Sequence, residues 1–191
     1  MHLRSRITGV GSYVPEKVLS NLDLEKMVDT SDKWITERTG IRERRIVKEN
    51  EATSDLSFEA SIKALRNAGV KPKDVDVIIV ATMSGDMPVP STASFLQHKL
   101  GAKNAAAFDL NAACSGFLYG LSVADSYIRS GQYRKILLVG ADVLSRFTDW
   151  EDRTTCILFG DAAGAVVIEP TEKDRGIIST HLYSDGSAWE L

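Results

Sequence analysis

The chain of 191 residues has only two cysteines, Cys114 and Cys156, which stand far apart with neither CxxC spacing nor a histidine cluster beside them. Neither a disulfide framework nor a zinc site is indicated, so a reducing, cytoplasmic setting and no metal or other cofactor are expected. Charge of one sign is missing too. The 23 Lys and Arg nearly balance 26 Asp and Glu, for a formal net charge of −3, and no global field draws the chain to nucleic acid or an anionic membrane. No apolar run approaches the ~20 residues that span a bilayer, and Met1-His2-Leu3-Arg4-Ser5-Arg6 lacks the apolar core of a secretion signal. The length supports one core rather than two ordinary domains.

What is present is a regular alternation of strand and helix signals. Arg6 to Tyr13 reads as a strand; its Gly9-x-Gly11 is not a dinucleotide loop, because Val14 stands where the third glycine belongs and Pro15 follows. Asn21 to Val28 reads as a short helix, and Ser31 caps another that runs to about Arg38 and ends at Gly40. Ser54 to Ala68 is amphipathic, Val75 to Ala81 is a continuous apolar strand, Ser91 starts a helix ending at Gly101, and Ala105 to Leu110 is a further strand. Cys114 to Arg129 has helical spacing and stops at Gly131. Ile136 to Gly140 follows as a strand, Ile157 to Phe159 and Ala165 to Ile168 flank the small-residue bend Gly160-Asp161-Ala162-Ala163-Gly164, and Gly176 to Leu182 reads as one more strand. The order βαβαβαββ predicts an α/β fold with a mixed, mostly parallel five-stranded sheet.

Two stretches carry chemical interest. Cys114 is expected at a helix N-terminus, where unpaired N–H groups and the macrodipole favour a thiolate and can stabilise an oxyanion beside it. Ser122, Asp125, Ser126 and Arg129 form one narrow polar stripe on that helix, and its other positions are apolar, as for a helix buried in the middle of a protein. Spacing alone leaves Cys114 open between a small core residue and a sheltered nucleophile. The second stretch, Thr30-Ser31-Asp32-Lys33-Trp34-Ile35 followed by Arg38, Arg42, Arg44 and Arg45, is the densest positive charge in the chain. It is either a solvated loop or an indole for stacking on a base with guanidinium groups to hold phosphates, the pairing a nucleotide-tailed ligand such as coenzyme A needs.

Taken together, Thr8-Gly9-Val10-Gly11-Ser12-Tyr13-Val14-Pro15, Asp29 to Ile35, Arg38 to Arg44, the Cys114 stretch and Leu158 to Ala165 resemble the β-ketoacyl-acyl carrier protein synthase III family, the initiating condensing enzymes of the thiolase-like superfamily. The resemblance implies a thiolase-like half with a buried central helix starting at Cys114. It makes Cys114 the acyl-accepting nucleophile, Thr30, Trp34, Arg38 and Arg153 the contacts to coenzyme A, and Val89, Leu144, Phe159 and Leu191 the acyl pocket. It implies acyl-CoA and malonyl-acyl carrier protein as substrates, a homodimer, and a second half supplying a histidine and an asparagine. His2, His98 and His181 match neither, so residues 1–191 are expected to be an N-terminal half, inactive alone. Another thiolase-like acyltransferase, such as a secondary-metabolite starter enzyme or a 3-hydroxy-3-methylglutaryl-CoA synthase, and a non-catalytic half-domain that pairs with a partner subunit are the competing readings.

Overall fold

The computed structural model describes residues 3–189. In chain order its elements are β1 (Arg4–Tyr13), β2 (Lys17–Ser20), α1 (Asn21–Leu24), α2 (Asp32–Thr39), β3 (Glu43–Ile46), α3 (Thr53–Ala68), β4 (Val77–Ala81), α4 (Thr92–Leu100), β5 (Ala106–Leu110), α5 (Gly116–Arg129), β6 (Ile136–Val143) and β7 (Asp161–Thr171). Five strands form one sheet in the order β1-β7-β6-β4-β5, while β2 and β3 pair as a separate antiparallel ribbon. β7 is antiparallel to both its neighbours and the other pairings are parallel, so four of the five strands run the same way. The sheet is mixed and mostly parallel, as expected.

Alternation along the strands divides the core. Ile78, Val80, Leu137, Val139, Ala163, Ala165 and Val167 face α3 and α4, and Val77, Ile79, Ile136, Leu138, Val166 and Ile168 face α5. With both faces covered, β4 is buried along its whole length and reads as an unbroken apolar run. The helix boundaries follow their caps. Ser31 accepts the Trp34 N–H at 3.1 Å, and Gly40, Gly69 and Gly101 end α2, α3 and α4 in the left-handed conformation. The Gly9-x-Gly11 motif is a packing device: a Cβ on either glycine would run into the α3 backbone around Ala60 and Ala64, so these glycines let β1 and α3 meet at close range.

Four expectations are corrected. Helix α1 stops at Leu24 rather than Val28. Residues Ile157 to Phe159 form no strand but lie in turns, and β7 instead runs continuously through the small-residue segment from Asp161. Cys156 is accordingly buried in a turn and not in a strand. Residues 177–182 form no strand either. Ile177 donates one backbone bond to Ser5 at 2.9 Å, and the segment is then held from α5 by Ser122 against Thr180 and by Arg129 on the Ile177 carbonyl. The polar stripe on α5 thus has a structural use, completed by Asp125, which accepts from Ser5 and pairs with Arg129 at 2.7 Å.

The fourth correction concerns the start of α5, which is at Gly116 rather than Cys114; the helix is buried on its sheet side, as expected of one half without the other. Gly116, Gly120, Ala124 and Ile128 are covered, while Leu118 is 59% exposed and Phe117 and Leu121 are half-buried. Its outward apolar side has no layer stacked on it among the described residues. Beside it an open apolar groove runs between Val10, Gly11, Phe117, Gly140, Gly164 and Val166.

Candidate active site

β5 ends at Leu110, and the chain turns through a short 3-10 segment, Ala113–Ser115, before α5 begins at Gly116. Cys114 therefore lies in that 3-10 segment, two residues before the helix, and does not open it. The turn is tight. Ala113 adopts φ 45°, a left-handed conformation uncommon for a residue with a Cβ, and is held there by its N–H on the Asn111 side chain at 3.2 Å. Such a bend at a strand end turns the following residue outward, and Cys114 is exposed rather than sheltered.

The thiol borders an open pocket of about 280 Å³ lined by Ala81, Phe117, Gly140, Asp142, Gly160 and Gly164 among others. Ala81 is the last residue of β4, so the pocket sits at the carboxyl end of the parallel strands, where α/β sheets place their ligands. Its room comes from absent side chains. α5 approaches the sheet closely because Gly116 would place a Cβ 3.1 Å from that of Ala81 and Gly120 would run into Leu138. Glycine and alanine at positions 140, 141, 160, 162 and 164 keep the rest open.

Two aspartates brace the rim, and the sequence reading did not single them out. Asp142 accepts from the Thr82 hydroxyl at 3.1 Å, the Met83 N–H at 2.9 Å and the Ser84 hydroxyl at 2.7 Å, tying the end of β6 to the loop after β4. Asp161, buried at the start of β7, accepts from Val47 and Ser145 N–H groups at 2.8 and 2.9 Å and from the Ser145 hydroxyl at 2.7 Å. The available signal was an isolated carboxylate inside a small-residue run, a pattern that marks a buried polar anchor.

Two of the expected contacts to coenzyme A, Arg38 and Arg153, come together on the ring of a third, Trp34. The guanidinium carbons of Arg38 and Arg153 lie 4.7 and 4.8 Å from the Trp34 ring centroid, although Arg153 is more than a hundred residues away in the chain. Arg153 also meets Asp29 at 3.4 Å. Thr30 directly precedes the Ser31 cap, and its enclosed hydroxyl oxygen has no hydrogen-bond partner. Two of the arginines expected to hold phosphates do not: Arg44 points inward and is buried, and Arg45 pairs with Glu43 at 2.9 Å.

Three of the expected acyl-pocket residues lie in loops and turns. Val89, 82% exposed, is on the loop between β4 and α4, Leu144 opens a 3-10 turn directly after β6, and half-buried Phe159 precedes the pocket residue Gly160. None of these three lines the Cys114 pocket, whereas Phe117, which was not singled out for it, does. Leu191 and His2 lie outside the described residues. His98 and His181 are exposed, the latter bonded to Ser179 at 3.2 Å, and neither lines the pocket. Among the described residues no group of histidine, cysteine and carboxylate side chains has metal-site geometry, and no helix is long and apolar enough to cross a membrane.

Comparison with known proteins agrees with this geometry. The family model for 3-oxoacyl-[acyl-carrier-protein] synthase III matches residues 108–186. The chain is similar to the β-ketoacyl-[acyl-carrier-protein] synthase III of Xanthomonas campestris pv. campestris (strain 8004), 58% identical over 187 residues that make up 98% of this chain and 57% of that protein. Among solved structures it resembles 3-oxoacyl-[acyl-carrier-protein] synthase III from Aquifex aeolicus VF5, with TM-score 0.86, 53% identity, and coverage of 88% of this chain and 55% of that one. It also resembles the priming β-ketosynthase of the R1128 polyketide biosynthetic pathway, with TM-score 0.86, 40% identity, and coverage of 89% of this chain and 51% of that one. The chain thus spans just over half the length of the relatives it matches.

Proposed function

We propose, from the premise that the chain belongs to the β-ketoacyl-[acyl-carrier-protein] synthase III family, that it is the half of an initiating condensing enzyme that carries the acyl-accepting cysteine. The observation that supports this most directly is the exposed Cys114 thiol at the mouth of a pocket floored by glycine and alanine. In the first half-reaction the Cys114 thiolate attacks the carbonyl of an acyl-CoA thioester. The tetrahedral oxyanion collapses, the C–S bond to coenzyme A breaks, and CoA leaves as the thiolate that takes up a proton. In the second, malonyl-acyl carrier protein loses carbon dioxide, and the resulting enolate attacks the Cys114 thioester. A 3-oxoacyl-acyl carrier protein is released and the cysteine is regenerated. A histidine and an asparagine from a second half would stabilise the enolate oxygen.

That second half is the natural cover for the outward side of α5 and the groove beside it. Trp34, Arg38 and Arg153 form the surface that receives the nucleotide end of CoA. Stacking of a base on an aromatic side chain is worth about 1–3 kcal/mol, so Trp34→Ala in the full-length protein is expected to raise KM for acetyl-CoA by roughly 10- to 100-fold with little change in kcat. An unchanged KM would remove Trp34 from the site.

Val89 bears on primer choice. Together with Met83 and Met87 it forms an exposed apolar patch on a loop rooted by Asp142, and we assign this patch to the contact between two copies of the enzyme. The family resemblance implies that some members place a large aromatic at this position, where it shortens the acyl pocket of the partner copy; valine leaves more room, so longer or branched primers are expected to be accepted. Assays with acetyl-, isobutyryl- and hexanoyl-CoA test this, and a strict acetyl preference counts against it. A second reading, a starter enzyme of polyketide synthesis, is favoured by the likeness to the R1128 priming enzyme. Products formed from malonyl-acyl carrier proteins of the fatty-acid and polyketide types separate the two, and acetoacetyl-CoA as acceptor separates both from a 3-hydroxy-3-methylglutaryl-CoA synthase.

A further inference from the structure

Arg44 is 3% exposed, a rare place for a guanidinium. Its Nε and Nη2 both donate to the carbonyl of Ile157, and its Nη1 donates to Oδ1 of Asn21 at 2.6 Å. All these partners are neutral oxygens, and among the described residues no carboxylate forms an ion pair with it. Burying a cation without a counter-charge costs stability, and an apolar side chain of similar volume would avoid that cost. What the guanidinium supplies, and an apolar group cannot, is a directional tie between two segments.

The first segment is α2. Asn21, itself buried, donates from its amide to Oδ1 of Asp32 and to the carbonyl of Ile41, both at 2.8 Å, and so grips the chain at each end of the helix that carries Trp34. The second is the turn from Asp152 to Ile157, which carries Arg153 near its start. That turn is stiff: hydrogen bonds from Thr154 and Thr155 hold the Asp152 carboxyl below its usual pKa, and the Cys156 N–H returns to the Asp152 carbonyl at 3.0 Å. Cys156 and Ile157 also pack on Leu24 and Ile35, but apolar contacts fix depth and not register. The polar path from Trp34 through α2, Asn21, Arg44 and Ile157 to Arg153 supplies that register. Gly160, three residues on, would carry its Cβ 3.3 Å from that of Arg44, so the same tie reaches the rim of the Cys114 pocket.

We propose that Arg44 and Asn21 are positioning residues that set the spacing of the Trp34–Arg153 clamp and thereby the affinity for the nucleotide end of the acyl donor. This rests on the acyl-CoA reading above. The test uses the full-length protein and two acetyl donors: acetyl-CoA, and S-acetyl-N-acetylcysteamine, which has no nucleotide. Arg44→Lys keeps the charge but cannot present two coplanar N–H groups to one carbonyl, and Asn21→Ala cuts the tie to α2 while leaving the Ile157 bonds in place. For each variant KM for acetyl-CoA is expected to rise about 10-fold with kcat within about 2-fold of the parent. Acetylation of Cys114 by the truncated donor stays within about 2-fold. Equal losses on both donors in Asn21→Ala, or no change on either, overturn the proposal, and they do so even if Arg44→Lys fails to fold. A parent enzyme that does not favour acetyl-CoA over the truncated donor refutes the acyl-CoA reading instead.

Discussion

Replacing Cys114 with alanine is expected to eliminate acyl transfer from acyl-CoA, lowering the rate by roughly 10³-fold or more, because among the described residues no other thiol, hydroxyl or amine side chain lines the pocket. The measurement is the intact mass of the protein after incubation with acetyl-CoA. The parent gains one acetyl group, mapped by peptide digestion to residue 114, and the variant gains none. Cys156 provides an internal control. It is fully buried, and burial first, with Asp152 beside it, pushes its thiol pKa up, so the neutral and unreactive form prevails near neutral pH. Iodoacetamide should therefore label Cys114 and leave Cys156 free in the folded protein, and Cys156→Ala should retain acyl transfer. An acetyl group found on Cys156, or turnover undiminished in Cys114→Ala, would sink the assignment and favour the non-catalytic half-domain.

Gly11→Ala is expected to destabilise the protein strongly. The new Cβ would meet the Ala60 carbonyl oxygen and lie 2.5 Å from the Ala64 nitrogen, both backbone atoms of α3 with no rotamer to yield. Relief requires β1 and α3 to move apart along a contact that also contains Gly9 and the core residues Leu56, Ala60 and Ala64. Overpacking of this kind costs about 1–3 kcal/mol and more where backbone must shift. The full-length protein should lose about 3 kcal/mol in urea unfolding. A loss below about 0.5 kcal/mol in Gly11→Ala, within the ordinary range for surface substitutions, would mean that the strand and helix are less closely apposed than described.

The elements with strong local signals were legible in the sequence. Ser31 and Gly40 delimit α2 as their cap chemistry requires, β4 and β6 lie within or at their apolar runs, and the βαβαβαββ order follows from spacing alone. The ribbon of β2 and β3 was not legible. Each strand is only four residues, Glu43-Arg44-Arg45 is charged rather than apolar, and two helices separate the partners. Ile157 to Phe159 misled in the opposite sense: the run is apolar and buried at Ile157, yet its backbone turns, and the Ile157 carbonyl goes to a side chain instead of a ladder. Cys114 was legible as a candidate, but its exposure was not, because that depends on the strained Ala113 and on where the next layer of protein lies.

What the sequence determined by itself is periodic and local: which strongly patterned segments are helical or extended, where caps end them, and that a thiol follows the strand ending at Leu110 amid small residues. Tertiary structure decided the fate of the charged cluster. Arg38 and Arg153 converge on Trp34, Arg45 closes on Glu43, and Arg44 turns inward to a carbonyl 113 residues away. Spacing encodes which face a side chain shares with its neighbours. The enclosure of a guanidinium, and the oxygens that meet it there, depend on distant segments that fold against it.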